Sequence, residues 1–178
     1  MKRVSIAALV LVLAGAAPAG EPVFQASLLP NCAIHPSTAT IRGLTLSLWG
    51  HNEQRALALG VVNGTIGNSS GLSLGALNYG ATYRGAQWGF VNVDSTEFRG
   101  WQLGLLNYCD GGVTGLQSGW INYAARLNAV QVGLLNVADR VDFGVQVGLV
   151  NIMMQNKQWF GGAPESLAPV MVIVNWRL

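Results

Sequence analysis

An eight-residue repeat, Gly-x-Gln-x-Gly-x-x-Asn, is the feature of this chain that most constrains its fold. Six copies follow a weaker one, and the five clearest begin at Gly85, Gly100, Gly115, Ala129 and Gly144. The closing asparagines of these copies, taken with Asn63 and Asn78, lie 14 or 15 residues apart. Self-similarity at a fixed period indicates a repeat architecture and not a catalytic motif. We therefore expect the sequence to define a shape and to say little about a reaction.

The residues of each copy separate into two faces. Strand geometry sends alternate side chains to opposite sides, so positions 2, 4 and 6 of the repeat share one face and are mostly apolar. Trp88, Phe90, Trp101 and Trp120 belong to this apolar face. Glycine and glutamine dominate the other face. A helix is excluded because glycine recurs inside every apolar run, at a cost of about 1 kcal/mol each.

The segments between the copies predict an antiparallel β-barrel. They are rich in turn formers such as Asp110-Gly-Gly112, which are typical of hairpins. About ten strands result, the first near 23–30 and the last near 168–177, and the longer connections are all odd-numbered. An even strand count with long loops on one side is typical of outer-membrane barrels. The predicted fold is an up-and-down barrel of about ten short strands in a single β-repeat domain, 20–178.

A parallel β-solenoid with coils of 14 or 15 residues is the alternative fold. Near-identical copies are what translational stacking of coils produces. Its difficulty is the return path through segments such as 93–99, which offer few inward apolar residues. In either fold the repeat glutamines form an interior polar row whose amides hydrogen-bond one another. The members of this row are Gln87, Gln102, Gln117, Gln131 and Gln146.

The first nineteen residues predict a signal peptide. Lys2 and Arg3 precede a short apolar run from Ile6 to Ala14, and Ala17-Pro-Ala19 is typical of a cleavage site. Cleavage after Ala19 would leave eight basic and eight acidic residues. We therefore expect export to the outer membrane or cell surface, or alternatively to the periplasm or the medium. A neutral chain with scattered arginines predicts no nucleic-acid partner, and outer-membrane lipid is the expected one.

No catalytic, metal or cofactor site is predicted. The carboxylates Asp94, Glu97, Asp110, Asp139 and Asp142 all lie in or beside expected turns, without a paired acid, base or nucleophile. The predicted function is thus a small outer-membrane or surface barrel with a structural or interaction role and no enzyme activity. The alternative is a secreted or periplasmic solenoid that acts as an adhesive or binding module.

Two further features lie outside the regular repeat. The long connection 153–167 carries Trp159 and Phe160, and because binding function is often located on loops, this pair is a candidate partner contact. The two cysteines, Cys32 and Cys109, could form a disulfide in an oxidising compartment or remain as free thiols.

The tandem repeat together with the final Pro169-Val-Met-Val-Ile-Val-Asn-Trp176 also carries a family resemblance. Over residues 41–176 the chain resembles an uncharacterised family of exported bacterial surface-repeat proteins. The resemblance implies an envelope or surface location. It implies no activity and no catalytic residue.

Overall fold

The computed structural model describes residues 20–178, which form strands and connecting turns and contain no helix. The predicted signal peptide, 1–19, lies outside the described residues. The strands are β1 Phe24–Leu29, β2 Cys32–Ala33, β3 Thr40–Ile41, β4 Leu44–Thr65, β5 Asn68–Leu74, β6 Leu77–Trp88, β7 Val91–Met153 and β8 Val170–Arg177. The expectation of an all-β chain is therefore correct for this part of the protein.

Successive copies of the repeat stack in parallel and in register. Asn63 pairs with Asn78, Asn78 with Asn92, and Gln87 with Gln102, so each residue lies beside its counterpart in the next copy. A parallel pairing at 14 or 15 residues requires the chain to complete one coil per copy. The 63 residues of β7 are accordingly an extended chain wound through several coils. The architecture is a β-solenoid.

The predicted up-and-down barrel is wrong, and the solenoid, which was the alternative, is the fold. A barrel of hairpins would place neighbouring strands antiparallel, whereas β4, β5, β6 and β7 pair in parallel. The return path, for which few inward apolar residues are expected from the sequence, is filled by buried apolar side chains. Phe98, Val113 and Leu127 lie just ahead of successive copies and are buried in the interior. They supply the interior apolar contacts that a solenoid needs along its return path. The turns of a hairpin barrel would not need such contacts.

The repeat asparagines form a continuous hydrogen-bonded ladder inside the solenoid. Asn92 donates from Nδ2 to Oδ1 of Asn107 at 2.8 Å and to the main-chain oxygen of Leu103 at 3.1 Å. The same pattern of one bond to the next asparagine repeats at every step from Asn63 to Asn151. Each buried amide is thereby paired with its neighbours, which removes the penalty of burying it.

The repeat glutamines form a second ladder, and its hydrogen bonds run along the solenoid in the opposite direction to those of the asparagines. Gln117 donates from Nε2 to Oε1 of Gln102, in the preceding coil, whereas each asparagine donates to the following coil. The later glutamines also donate to a main-chain oxygen of their own coil, as Gln131 does to Val137. Because the two rows of amide dipoles run in opposite directions, they partly cancel along the solenoid axis.

Two columns of side chains complete the interior. The first consists of residues just ahead of each copy, and Tyr83 stacks there on Phe98 with ring centroids 6.4 Å apart. The second consists of the residues two places after the last five repeat asparagines: Asp94, Cys109, Ala124, Ala138 and Met153. All but Asp94 belong to one apolar cluster. The core therefore combines the two amide ladders with apolar columns.

The close approach of the coils explains the second glycine of the repeat and, in the copies that begin at Gly71, Gly85, Gly100 and Gly115, also the first. Gly100 has a φ of +136°, which L-residues with a side chain rarely adopt, and a Cβ there would meet the main-chain oxygen of Gly85. At the second glycine, a Cβ on Gly104 would lie 2.8 Å from Nδ2 of Asn92 in the preceding coil. The second glycine thus makes room for the asparagine ladder.

The two ends of the solenoid differ from the coils between them. At the N-terminal end, β1 pairs in parallel with β4 and carries the short antiparallel strand β2 on its other edge. At the C-terminal end, β8 runs antiparallel to the last coil and places Asn175 opposite Gln146. Such terminal strands cover the open edge that a stack of parallel strands would otherwise expose.

Candidate functional site

The candidate site is the apolar face made by positions 2, 4 and 6 of the repeat. These side chains point away from the interior because the intervening glutamine and glycine positions point inward. Trp88, Phe90 and Trp120 are 61%, 65% and 61% exposed. Other exposed members, from neighbouring coils, are Val61, Leu72, Trp101, Leu105, Val130, Val132, Leu134, Val147 and Leu149. The face therefore runs without interruption along the stacked coils.

The apolar face carries no charge in any of the seven copies that end at Asn63 to Asn151. Ser118 is its only polar side chain among these positions. The charged groups lie on other sides of each coil, where Glu97 pairs with Arg99 at 2.7 Å and Glu53 with Arg55 at 2.9 Å. A ligand of this face must therefore be recognised by apolar contact and not by charge.

A groove of about 670 Å³ lies within the apolar face, and we call it the glycine groove. Its floor is the backbone of Gly75, Gly89 and Gly104, the second glycine of three consecutive copies. One wall is formed by the residues before these glycines and the other by the residues after them: Leu74, Trp88 and Leu103, then Ala76, Phe90 and Leu105. The volume falls within the range of small-molecule sites in proteins.

The backbone that floors the glycine groove has its polar groups engaged inside the protein. The main-chain oxygens of Leu74, Trp88 and Leu103 accept hydrogen bonds from the interior asparagine ladder. The amides of Gly75 and Gly89 donate to main-chain oxygens of the next coil, at 3.0 Å each. These groups are therefore not available to hydrogen-bond a ligand.

The residues singled out from the sequence lie in two different places. The five repeat glutamines are fully buried in the interior ladder and line no accessible surface. Trp159 and Phe160 lie in the connection between β7 and β8, where they are 60% and 58% exposed with ring centroids 6.4 Å apart. Neither belongs to the glycine groove. The structure thus separates the loop pair from the apolar face.

Asp94, which the sequence places in or beside an expected turn, is buried in the structure. It is fully buried and accepts hydrogen bonds from Gln87 at 3.3 Å and from Gln102 at 2.7 Å. Burial raises the pKa of this carboxyl to about 7, although the two glutamine hydrogen bonds oppose the shift. One signal was available in the sequence: the equivalent residue in the next copies is Cys109, Ala124 or Ala138, which are small and apolar.

The buried hydroxyl of Tyr83 lies in the same part of the core and finds no partner among the described residues. Its pKa is raised by burial and by the neighbouring Asp94. Both groups are enclosed in the interior and contact no groove on the apolar face. They therefore belong to the interior and not to the candidate site.

Within residues 20–178, no three His, Cys, Asp or Glu side chains lie close enough together to hold a metal ion. The same part of the chain contains no helix that is long and apolar enough to cross a membrane.

Comparison of the chain with models of protein families, with curated proteins and with solved structures finds no match. The apolar face and its groove are thus the candidate functional features of residues 20–178.

Proposed function

We propose that this chain is an exported β-solenoid that acts as a lipid-binding module of the cell envelope, with no catalytic role. The observation that carries the proposal is the uncharged apolar face that continues through seven copies of the repeat. The module would lie on the membrane surface, with the charged sides of its coils in water.

The size of the face supports the proposal. With coils about 4.8 Å apart and residues about 3.3 Å apart, seven copies and positions 2 to 6 span roughly 29 Å by 13 Å. This projected area of roughly 400 Å² is comparable to the largest apolar patches of soluble monomers, which often mark a binding surface. The protruding side chains expose more than the projection. A face this large favours contact with an apolar partner.

The composition of the face favours lipid over a charged or polar partner. Trp88, Trp101 and Trp120 are all exposed on it, and tryptophan is enriched where proteins meet the membrane interface. Fully burying one such apolar side chain stabilises the bound state by about 1.5–3 kcal/mol. Because no charge is involved, we expect binding to neutral lipid to depend little on salt.

Flotation with neutral phosphatidylcholine vesicles tests the proposal. The protein without its first nineteen residues should float with the vesicles, at low and at high salt. The double variant Trp88→Ser/Phe90→Ser removes two exposed apolar side chains of the face, and we expect its partition coefficient to fall at least tenfold.

Trp159→Ser/Phe160→Ser is the matched control, since it removes two equally exposed aromatic side chains from the loop. This control should float like the parent protein. Loss of flotation in the loop variant alone would move the lipid contact to the loop, and a parent protein that remains at the bottom of the gradient would refute lipid binding. Circular dichroism of each variant verifies that the strands are retained.

Export is part of the proposal and has its own test. The charged start, short apolar run and small-residue site within 1–19 support it. Cell fractionation of the full chain should recover a protein shortened after Ala19 in the envelope fraction. Recovery of the uncut chain in the cytoplasm would contradict export without bearing on lipid binding.

A further inference from the structure

The glycine groove is a smaller feature than the apolar face around it, and its shape limits the ligands that it can hold. Its two walls are the residues on either side of one glycine, and in the first two coils this glycine lies where one strand ends and the next begins, between β5 and β6 and between β6 and β7. The position between the walls points toward the interior, so no side chain enters this gap from it, and the gap repeats in register in three consecutive coils. The result is a slot that runs along the solenoid axis, across the strands.

The chemistry of the slot excludes most classes of ligand. A sugar or a peptide strand needs hydrogen-bond partners when it loses water. The main-chain oxygens of Leu74, Trp88 and Leu103 and the amides of Gly75 and Gly89 offer none, because the asparagine ladder and the coil-to-coil backbone bonds occupy them. No charged side chain lines the slot, so it has nothing to pair with an ionic head group. The lining therefore matches an apolar ligand, and the apolar group that a membrane lipid offers is an extended hydrocarbon chain.

We propose that the glycine groove holds one extended acyl chain of a membrane lipid. The head group lies beyond the end of the slot, and the chain packs between the Trp88 and Phe90 side chains on the glycine floor. This inference rests on the proposed lipid-binding function and adds a defined site to it. The apolar face in general would contact the membrane surface, whereas the groove would take up a single chain.

Ala76→Phe separates the groove from the face. Ala76 is a wall residue of the groove, and the equivalent residue of the next coil is Phe90, so a phenylalanine at this position is compatible with the coil. The larger side chain would fill the slot while adding apolar surface to the face. Ala125→Phe is the matched control, because Ala125 lines a polar groove on another side of the solenoid.

The experiment titrates the protein without its first nineteen residues with monomeric lysophosphatidylcholine, a lipid with one acyl chain, below its micelle concentration. Calorimetry gives the affinity, and NMR follows the amides of Gly75, Gly89 and Gly104. We expect saturable binding with shifts at these glycines, at least tenfold weaker binding by Ala76→Phe, and no change with Ala125→Phe. Vesicle flotation of Ala76→Phe should stay at the parent level.

The outcomes distinguish the two proposals. Unchanged affinity in Ala76→Phe, or shifts confined to residues outside the groove, would overturn the acyl-chain site even if vesicles are bound. Single-chain binding at the glycines without vesicle flotation would support the site and refute the membrane-surface role. A stable dimer that protects Trp88 from a soluble quencher would show that a second copy covers the groove, which also overturns the acyl-chain site.

Discussion

Gln102 donates a hydrogen bond of 2.7 Å from Nε2 to the carboxyl group of Asp94, and both side chains are fully buried between coils. In later coils the glutamine amide donates instead to a main-chain oxygen, as Gln117 does to Tyr123 at 3.2 Å. Asp94 thus takes over an acceptor role that the backbone fills elsewhere. It places an ionisable group in a core that is otherwise uncharged.

This arrangement predicts that the protein is less stable at neutral and alkaline pH than in mild acid. The unfolded carboxyl has a pKa near 3.9, while burial raises the pKa of folded Asp94 to about 7. Between these values the unfolded chain releases the proton and the folded chain keeps it, so the free energy of unfolding falls as pH rises, by up to about 1.4 kcal/mol per pH unit. Denaturant titrations across this range measure the fall.

Asp94→Ala is the variant that isolates the effect. Ala124 and Ala138 occupy the equivalent position in later coils, and the glutamines there donate to main-chain oxygens. The variant should therefore lose the decline in stability between about pH 4 and pH 7, and should be more stable than the parent above about pH 7. If the free energy of unfolding changes with pH in the same way for both proteins, Asp94 is ionised in the folded state at little cost.

The second glycine of the repeat predicts a pair of variants with different outcomes. In Gly104→Ala the new Cβ would lie 2.6 Å from the main-chain oxygen of Gly89 and 2.8 Å from Nδ2 of Asn92, so the coils must move apart. We expect a loss of about 1–3 kcal/mol in the free energy of unfolding, as is typical of overpacking. Gly112→Ala is the control, because its Cβ would meet only Cγ of Glu97 at 4.0 Å. Equal stability of both variants, measured by denaturant titration, would contradict the close packing described.

Strand alternation within the repeat is enough to separate outward Trp88 and Phe90 from inward Gln87, whichever fold is chosen. It does not determine the neighbour of each strand, because alternation is identical in parallel and antiparallel sheets. The decisive information was the identity of the inward residues. Asn92 and Asn107 can satisfy each other only if equivalent positions stack, which parallel coils achieve and hairpins do not. Turn-forming residues such as Asp110-Gly-Gly112 are typical of hairpins, but here they lie within β7, in the segment that leads from one coil to the next.

The position of Asp94 could not be predicted from composition, because aspartate is common in turns and rare in cores. Aligning the coils by their asparagines places it with Cys109, Ala124 and Ala138. That alignment predicts that Asp94 is buried only when the register of the stacked coils is known. The same register brings Gly75, Gly89 and Gly104 together as the floor of one groove, which no single copy of the repeat reveals.

The asparagine ladder predicts that removing one member weakens the fold more than removing an exposed asparagine does. In Asn107→Ala, Asn92 loses an acceptor for one amide hydrogen and Oδ1 of Asn122 loses its donor. Each buried unsatisfied group costs about 1–3 kcal/mol, so we expect a loss of that order in the free energy of unfolding. Asn128→Ala is the control, since Asn128 is exposed. Comparable losses in the two variants would show that the ladder contributes little net stability.

The two cysteines predict different reactivity toward a thiol reagent. Cys32 is exposed, whereas Cys109 is buried in the apolar column and burial raises the pKa of its thiol to about 11. Since the thiolate is the reactive form, Cys109 should react only when its coil opens. A thiol assay should therefore count one fast-reacting group in the native protein and two in denaturant, and Cys32→Ser should remove the fast phase. Two fast-reacting thiols in the native protein would show that the core around Cys109 opens readily. If no thiol reacts and mass spectrometry finds an intramolecular disulfide, the buried position of Cys109 is wrong.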